Sequence, residues 1–226
     1  MRGHRPKAVA ANLDLVLIVL SAVEPPFRPA EADRFLVLAE SCGIRPLLLI
    51  TKLDRPGARA AVEAGIALYR SIGYEVIELA APSGLGLEAL RAAMRGRTST
   101  LIGPSGVGKS TLVNALAPGL DLRTAPVGHR GGRGRHTTVS ARLVELPGGI
   151  RVVDTPGFSE VRPWSLEVDR PDELFPEFRE PARYCRFRGC THQHEPGCGV
   201  IDALESGDLD TGRYGSYLRL IEGSAG

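Results

Sequence analysis

Gly103-Pro-Ser-Gly-Val-Gly-Lys-Ser-Thr111 is the stretch that decides the fold. It matches G-x-x-x-x-G-K-[ST] in full, between the apolar run Thr100–Ile102 and the helical stretch Lys109–Leu116, and that strand–loop–helix context gives the motif its meaning. The glycines let backbone N–H groups turn onto phosphate oxygens, and the helix N-terminus adds a favourable dipole. The expected phosphate-binding residues are Gly103, Ser105, Gly106, Val107, Gly108, Lys109, Ser110 and Thr111. Lys109 is expected to bridge the terminal phosphates and Ser110 to ligate Mg²⁺. The bland alternative is a Gly-rich turn with no ligand, and the complete consensus with both flanks argues against it.

Working outward, Asp154-Thr-Pro-Gly157 follows the apolar strand Val152–Val153. An Asp at a strand end beside a phosphate loop can hold Mg²⁺ through water, and the Gly157 N–H can approach a γ-phosphate. Alone, D-x-P-G is a common turn. Thr51-Lys52-Leu53-Asp54 ends the apolar strand Pro46–Ile50 and addresses the base. The Asp54 carboxylate can accept two hydrogen bonds from guanine N1–H and its amino group, a pattern adenine lacks. Lys52 can lay its stem along the base. The usual GTPase form is Asn-Lys-x-Asp, so Thr51 removes a supporting amide. Ala80-Ala81-Pro-Ser-Gly-Leu-Gly-Leu87 follows the strand Glu75–Leu79 and looks like the Ser-Ala-x-x-Gly loop whose backbone N–H meets the guanine oxygen, with Ala80 in place of Ser.

Further strands are expected at Leu15–Leu20 and Leu143–Leu146, and further helices at Glu31–Ser41, Ala58–Ser71, Leu87–Arg95 and Thr211–Glu222. Continuous apolar strands alternating with helices predict an α/β fold with a parallel sheet covered on both faces. Character changes after Trp164 to Pro-punctuated short helices and a Cys/His cluster. The expected organisation is a GTPase domain over 1–165 and a small, mostly helical zinc-binding domain over 166–226.

The 226 residues, 43% hydrophobic and of net charge +2, have no apolar run of membrane-spanning length and no signal core, which implies a cytoplasmic protein with no membrane partner. That net charge is too small to argue for nucleic acid by itself. Three of the four cysteines crowd into Cys185–Cys198, which in a cytosolic chain suggests metal before disulfide. Cys185, Cys190, a histidine (His192 or His194) and Cys198 are enough for a closed, structural Zn²⁺ site. Arginines interleave with aromatics in Arg183-Tyr-Cys-Arg-Phe-Arg188, a pattern suited to RNA phosphates and unstacked bases or else to a plain solvated basic face.

The base-reading motif precedes the phosphate loop, the reverse of most small GTPases; joined termini and new ends build the same sheet. With Ala11-Asn-Leu-Asp14, Ser21-Ala-Val-Glu-Pro-Pro26, Gly132-Arg-Gly-Arg-His-Thr-Thr138 and the cysteine cluster added, the chain resembles the circularly permuted, ribosome small-subunit-dependent GTPases of bacteria (RsgA/YjeQ-like). The resemblance spans nearly the whole chain. It implies a circularly permuted P-loop GTPase sheet, GTP/GDP as ligand, and a monomeric factor in late maturation of the small ribosomal subunit. Its slow hydrolysis would be stimulated by that subunit and its rRNA. It also implies His192 as the zinc imidazole. Family members usually carry an oligonucleotide-binding β-barrel ahead of the GTPase domain, and the chain begins where that barrel should end.

Phe158 stands where Ras-like proteins have a water-orienting Gln, so catalysis must come from elsewhere. The resemblance supports His136 as the residue that positions water, with Thr138 closing on Mg²⁺, alongside Lys109. A mobile loop histidine is the alternative. Gly106 occupies the phosphate-loop position at which some related GTPases use an Asn to bind K⁺, so no potassium site is expected. Two other classes compete: an ATP-dependent P-loop kinase, against which Thr51–Asp54 argues, and a zinc RNA-binding protein with a degenerate nucleotide fold, against which Lys109, Ser110, Thr138 and Asp154 argue.

Overall fold

The run Leu15-Val-Leu-Ile-Val-Leu20 forms β1 (Leu15–Ser21), and every one of its residues is buried. Successive side chains of a strand point to opposite faces, so an uninterrupted apolar strand needs a layer on each side. Val16, Ile18 and Leu20 pack with Leu48, Ile50, Phe35 and Leu36 on one face. Leu15, Leu17 and Val19 pack with Leu47, Leu49, Leu90 and Leu112 on the other. The computed structural model describes residues 12–117, 142–154 and 169–224.

The chain continues through α1 (Pro29–Ser41), β2 (Arg45–Thr51), α2 (Ala58–Ser71), β3 (Val76–Glu78), α3 (Leu87–Met94), β4 (Thr98–Ile102), α4 (Lys109–Leu116), β5 (Arg142–Leu146) and β6 (Ile150–Asp154). The sheet order is β3-β2-β1-β4-β6-β5. Helices α1 and α2 contribute to the first core layer, α3 and α4 to the second. From β1 the chain moves outward to β2 and β3, then returns to place β4 on the opposite side of β1. The order therefore reverses between β1 and β4, and such a switch point, at the carboxyl ends of the strands, is where open α/β sheets bind ligands. The phosphate loop leaves β4 at that place.

The sheet differs from the parallel expectation at one edge. β5 runs antiparallel to β6, with Leu146 opposite Ile150. Only Pro147, Gly148 and Gly149 separate the two, and a parallel crossover needs a dozen or more residues. Gly148 and Gly149 adopt φ of 84° and 73°, left-handed values that a side chain disfavours, so the tight reversal is encoded locally.

The C-terminal part is built from 3-10 turns at Pro171–Leu174, Pro176–Phe178 and Pro181–Tyr184, followed by α5 (Gly199–Glu205) and α6 (Thr211–Ser224). Each turn starts on proline, whose fixed φ and missing N–H suit a first helical position. The expected boundary at 165/166 lies outside the described residues. The core of this part gathers Phe175, Phe178, Val200, Tyr217 and Leu220, together with Val37 of α1. Helix α1 is consequently covered on two sides: Phe35 and Leu36 face the sheet, Val37 the C-terminal part.

A buried ionic network crosses the same contact. Arg213 of α6 is 1% exposed and donates to Asp33 of α1 at 2.8 Å and to Glu177 at 2.6 and 3.1 Å. Asp33 also accepts from Tyr69 of α2 at 2.7 Å and from Ser216. The guanidinium lies over the Phe175 ring, 4.8 Å from its centroid. Each buried charge is therefore paired and hydrogen-bonded, the condition under which burial is tolerated.

Candidate nucleotide site and metal centre

Gly103 follows β4 with φ of 143°, and a Cβ there would sit 2.1 Å from the Val19 carbonyl oxygen of β1. Only glycine lets the loop leave the sheet so close to its neighbour. Gly108, at φ of 98°, opens α4 at Lys109. The Lys109 ammonium donates to the Gly103 and Pro104 carbonyls at 2.6 and 2.7 Å, and partial burial holds it below the ordinary lysine value. Ser105, Gly106, Ser110 and Thr111 are exposed along the outer side of the loop, whereas Val107 is buried and anchors it in the core.

The Thr51–Asp54 turn and the turn after β3, both expected to address the base, meet this loop. The buried Thr51 hydroxyl lies 2.6 Å from the Val107 carbonyl and 3.1 Å from that of Leu20, so it ties the end of β2 directly to the phosphate loop. Thr51 thereby makes a supporting bond of its own in place of the amide of the usual form. Lys52 has φ of 63° and donates to the Glu24 carbonyl in the segment after β1. The Leu53 N–H donates to the Leu79 carbonyl at 3.2 Å, which fixes this turn to the end of β3. A 3-10 turn at Ala81–Ser83 follows β3. A cavity of about 160 Å³ is lined by Thr51, Lys52, Asp54, Ala81, Val107, Gly108 and Thr111, among others, so it unites all three motifs.

Asp154 is the last residue of β6, one position beyond the Thr100–Val153 pair, which sets its backbone beside the strand that enters the phosphate loop. His136, Thr138, Gly157 and Phe158, and the arginine-rich segment 130–135, lie outside the described residues.

In the C-terminal part Cys185, Cys190, His192 and Cys198 bring their ligand atoms within 4.8 Å of one another. His192 Nδ1 is 3.3 Å from Cys198 Sγ and 3.5 Å from Cys185 Sγ, and the Cys185–Cys198 sulfurs are 3.9 Å apart. Metal–ligand bonds of about 2.0–2.3 Å in a tetrahedron give edges of roughly 3.3–3.8 Å, so the donor set fits a Zn²⁺ ion. His194 is exposed and takes no part in the cluster. Burial holds the His192 imidazole below its ordinary value despite the opposing pull of Asp172, leaving it neutral as a ligand must be. Burial also pushes the Cys190 thiol up to about 12.

One contributor was not legible in the motif. Asp172 Oδ2 lies 3.8 Å from His192 Nε2, and Arg170 donates to both oxygens of the same carboxylate at 3.1 and 2.8 Å. Burial raises this carboxyl, but the guanidinium outweighs it and holds it below the usual range. At that separation the carboxylate stands beside the imidazole without a hydrogen bond to it and favours its orientation electrostatically. His192 adopts φ of 54°, and the Tyr214 hydroxyl donates to its carbonyl at 2.7 Å. Beside the cluster an open hollow of about 420 Å³ is lined by Arg170, Arg183, Arg186, Phe187 and Arg188. Tyr184 is 72% and Phe187 46% exposed, with the Arg186 guanidinium 5.5 Å from the Phe187 ring centroid.

A complete phosphate loop at the switch point, joined through Thr51 to the Thr51–Asp54 turn that comes earlier in the chain, is the arrangement of a P-loop nucleotide-binding protein of permuted order. The RsgA GTPase family model matches residues 1–164. The chain belongs to this family, and is a GTP hydrolase. The small ribosomal subunit biogenesis GTPase RsgA of Gemmatimonas aurantiaca is 48% identical over 216 residues, 95% of this chain and 69% of that protein. The protein of the same name from a Geobacillus species is 44% identical over 94% of this chain and 73% of its own length. Among solved structures, YjeQ from Thermotoga maritima superposes with a TM-score of 0.77 at 34% identity, covering 95% of this chain and 72% of that one. YloQ, described as a circularly permuted GTPase, gives 0.75 at 34% identity over 95% and 69%.

Proposed function

We propose that this GTPase acts in biogenesis of the small ribosomal subunit and binds guanine nucleotide in the cavity between the Thr51–Asp54 turn, the Ala81 turn and the phosphate loop. The convergence of these three elements on one cavity carries the reading. Asp54 accepts from the guanine edge, the Ala81 N–H meets the guanine oxygen, and Lys52 lies along the base. The N–H groups of Gly103 to Thr111 cradle the phosphates, with Lys109 at their terminal oxygens. Bound Mg²⁺ would neutralise developing phosphate charge, and Ser110, Thr138 and Asp154 are the residues assigned to hold it. His136 is assigned to orient the attacking water.

The C-terminal residues 166–226 form the second domain in this reading, with one Zn²⁺ held by Cys185, Cys190, His192 and Cys198 in a structural role. Four protein ligands leave no open position. The rim of Arg183, Arg186 and Arg188 with exposed Tyr184 and Phe187 suits rRNA, since guanidinium groups meet phosphates and ring faces stack on unpaired bases. The names of the relatives support the ribosomal role. The protein is assigned to the cytoplasm as a monomer.

The test is hydrolysis by the purified chain with and without small ribosomal subunits, with ATP as control. A slow GTP-specific rate raised tenfold or more by subunits is the expected result. A GTP-specific rate that subunits leave unchanged would remove the ribosomal assignment while keeping the nucleotide assignment.

A further inference from the structure

Two halves of the nucleotide site, the base turn and the phosphate loop, are far apart in the chain, and α3 touches both. Its first residue follows Gly86, which has φ of 74° and whose added Cβ would meet the Glu78 carbonyl oxygen at 2.1 Å. The start of α3 is therefore pressed against the end of β3, and the Ala81–Ser83 turn is held in the short loop between them. One turn further on, Arg91 donates from Nη1 to the Leu116 carbonyl at 2.8 Å and from Nη2 to the Ala115 carbonyl at 3.0 Å. These are among the last carbonyls of α4, which have no partner within their own helix. Its Nε also faces Glu88 at 3.4 Å, and the side chain is 26% exposed. Leu90 and Met94 of α3 share the second core layer with Leu112 and Leu116 of α4.

We infer that Arg91 is a positioning residue that sets the separation of the base and phosphate halves of the site. A helix of eight residues is about 12 Å long, so a grip on the carboxyl end of α4 governs where its amino end presents the phosphate loop. The two bonds are charge-assisted, and a cation at a helix C-terminus is favourable in addition. A ligand that spans both halves gains from their preset spacing, whereas a ligand confined to one half does not.

The inference rests on the nucleotide-site reading above, and its test separates the two. Affinities for GDP, guanosine and pyrophosphate are measured by displacement of a fluorescent GDP analogue, for the full chain and for Arg91→Gln. The expected result is a loss of about tenfold for GDP, with guanosine and pyrophosphate each within twofold of the parent; this is a part of what two charge-assisted hydrogen bonds contribute. Arg91→Lys, which keeps the cation but cannot reach both carbonyls in the same fork, is expected to show the same pattern at smaller amplitude. GDP affinity unchanged in Arg91→Gln overturns the inference and leaves the site reading intact. Equal losses for all three ligands overturn it too, because Arg91 would then act only on the folding of α3 and α4. A parent chain that binds neither GDP nor guanosine refutes the site reading, and the inference with it.

Discussion

Replacing Arg213 by Met tests whether the ionic network really fastens the C-terminal part to α1. Methionine is of similar length and restores the apolar contact with Phe175, so the change is chiefly one of charge. It leaves Asp33, 2% exposed, with only Tyr69 and Ser216 as partners, and deprives Glu177 of both its guanidinium bonds. Removing one member of a buried ion pair costs about 3–5 kcal/mol, most of it the penalty of the charge left behind. For a chain of 226 residues, at about 2–4 °C per kcal/mol, the melting temperature should fall by roughly 6–20 °C. The assay is thermal and denaturant unfolding of parent and variant at pH 7. Adding Asp33→Asn and Glu177→Gln to Arg213→Met should return a large part of the loss, since no unpaired charge then remains. A deficit below about 1 kcal/mol, or one that the neutralising pair leaves in full, would refute the reasoning.

Two other outcomes are expected. The parent should carry one Zn²⁺ per chain by elemental analysis, Cys190→Ser should lose it, and Asp172→Asn should weaken its retention against a chelator by about 10–100-fold while His194→Ala leaves it unchanged. Glu195 accepts from the Thr191 hydroxyl and N–H at 2.6 and 2.7 Å, bonds that hold its carboxyl well below the ordinary 4.5. Its contribution is therefore full above that ordinary value and fades as pH falls toward the depressed one, so Glu195→Gln should destabilise the chain at pH 7 and by less at pH 3 in parallel unfolding titrations.

Much of the architecture was legible because it is encoded over short spans. A strand buried on both faces must be apolar at every position, and Leu15–Leu20 and Leu47–Ile50 read that way. Helices α2 and α4 begin and end where composition placed them, since Gly57 and Gly108 stand before their first residues. The turn that makes β5 antiparallel was also written locally, in Pro147-Gly-Gly149, although strand composition by itself suggested a parallel neighbour. The run Phe35-Leu-Val-Leu-Ala39 carries a further signal: five consecutive apolar residues point to more than one side of a helix, and α1 is covered by the sheet on one side and by the C-terminal part on another.

By itself, then, the sequence determined the nucleotide-fold class, the phosphate-loop motif and the crowding of three cysteines, because each depends on backbone conformation and residue type within a few positions. The tertiary structure alone decided which charges meet. Arg213 finds Asp33 across 180 residues, Asp172 stands behind His192, Thr51 reaches the Val107 carbonyl, and His192 rather than His194 turns toward the thiols. Such partners are chosen by packing: a buried charge or polar group takes whichever complementary group the fold brings within about 3 Å, and no local pattern records which that will be.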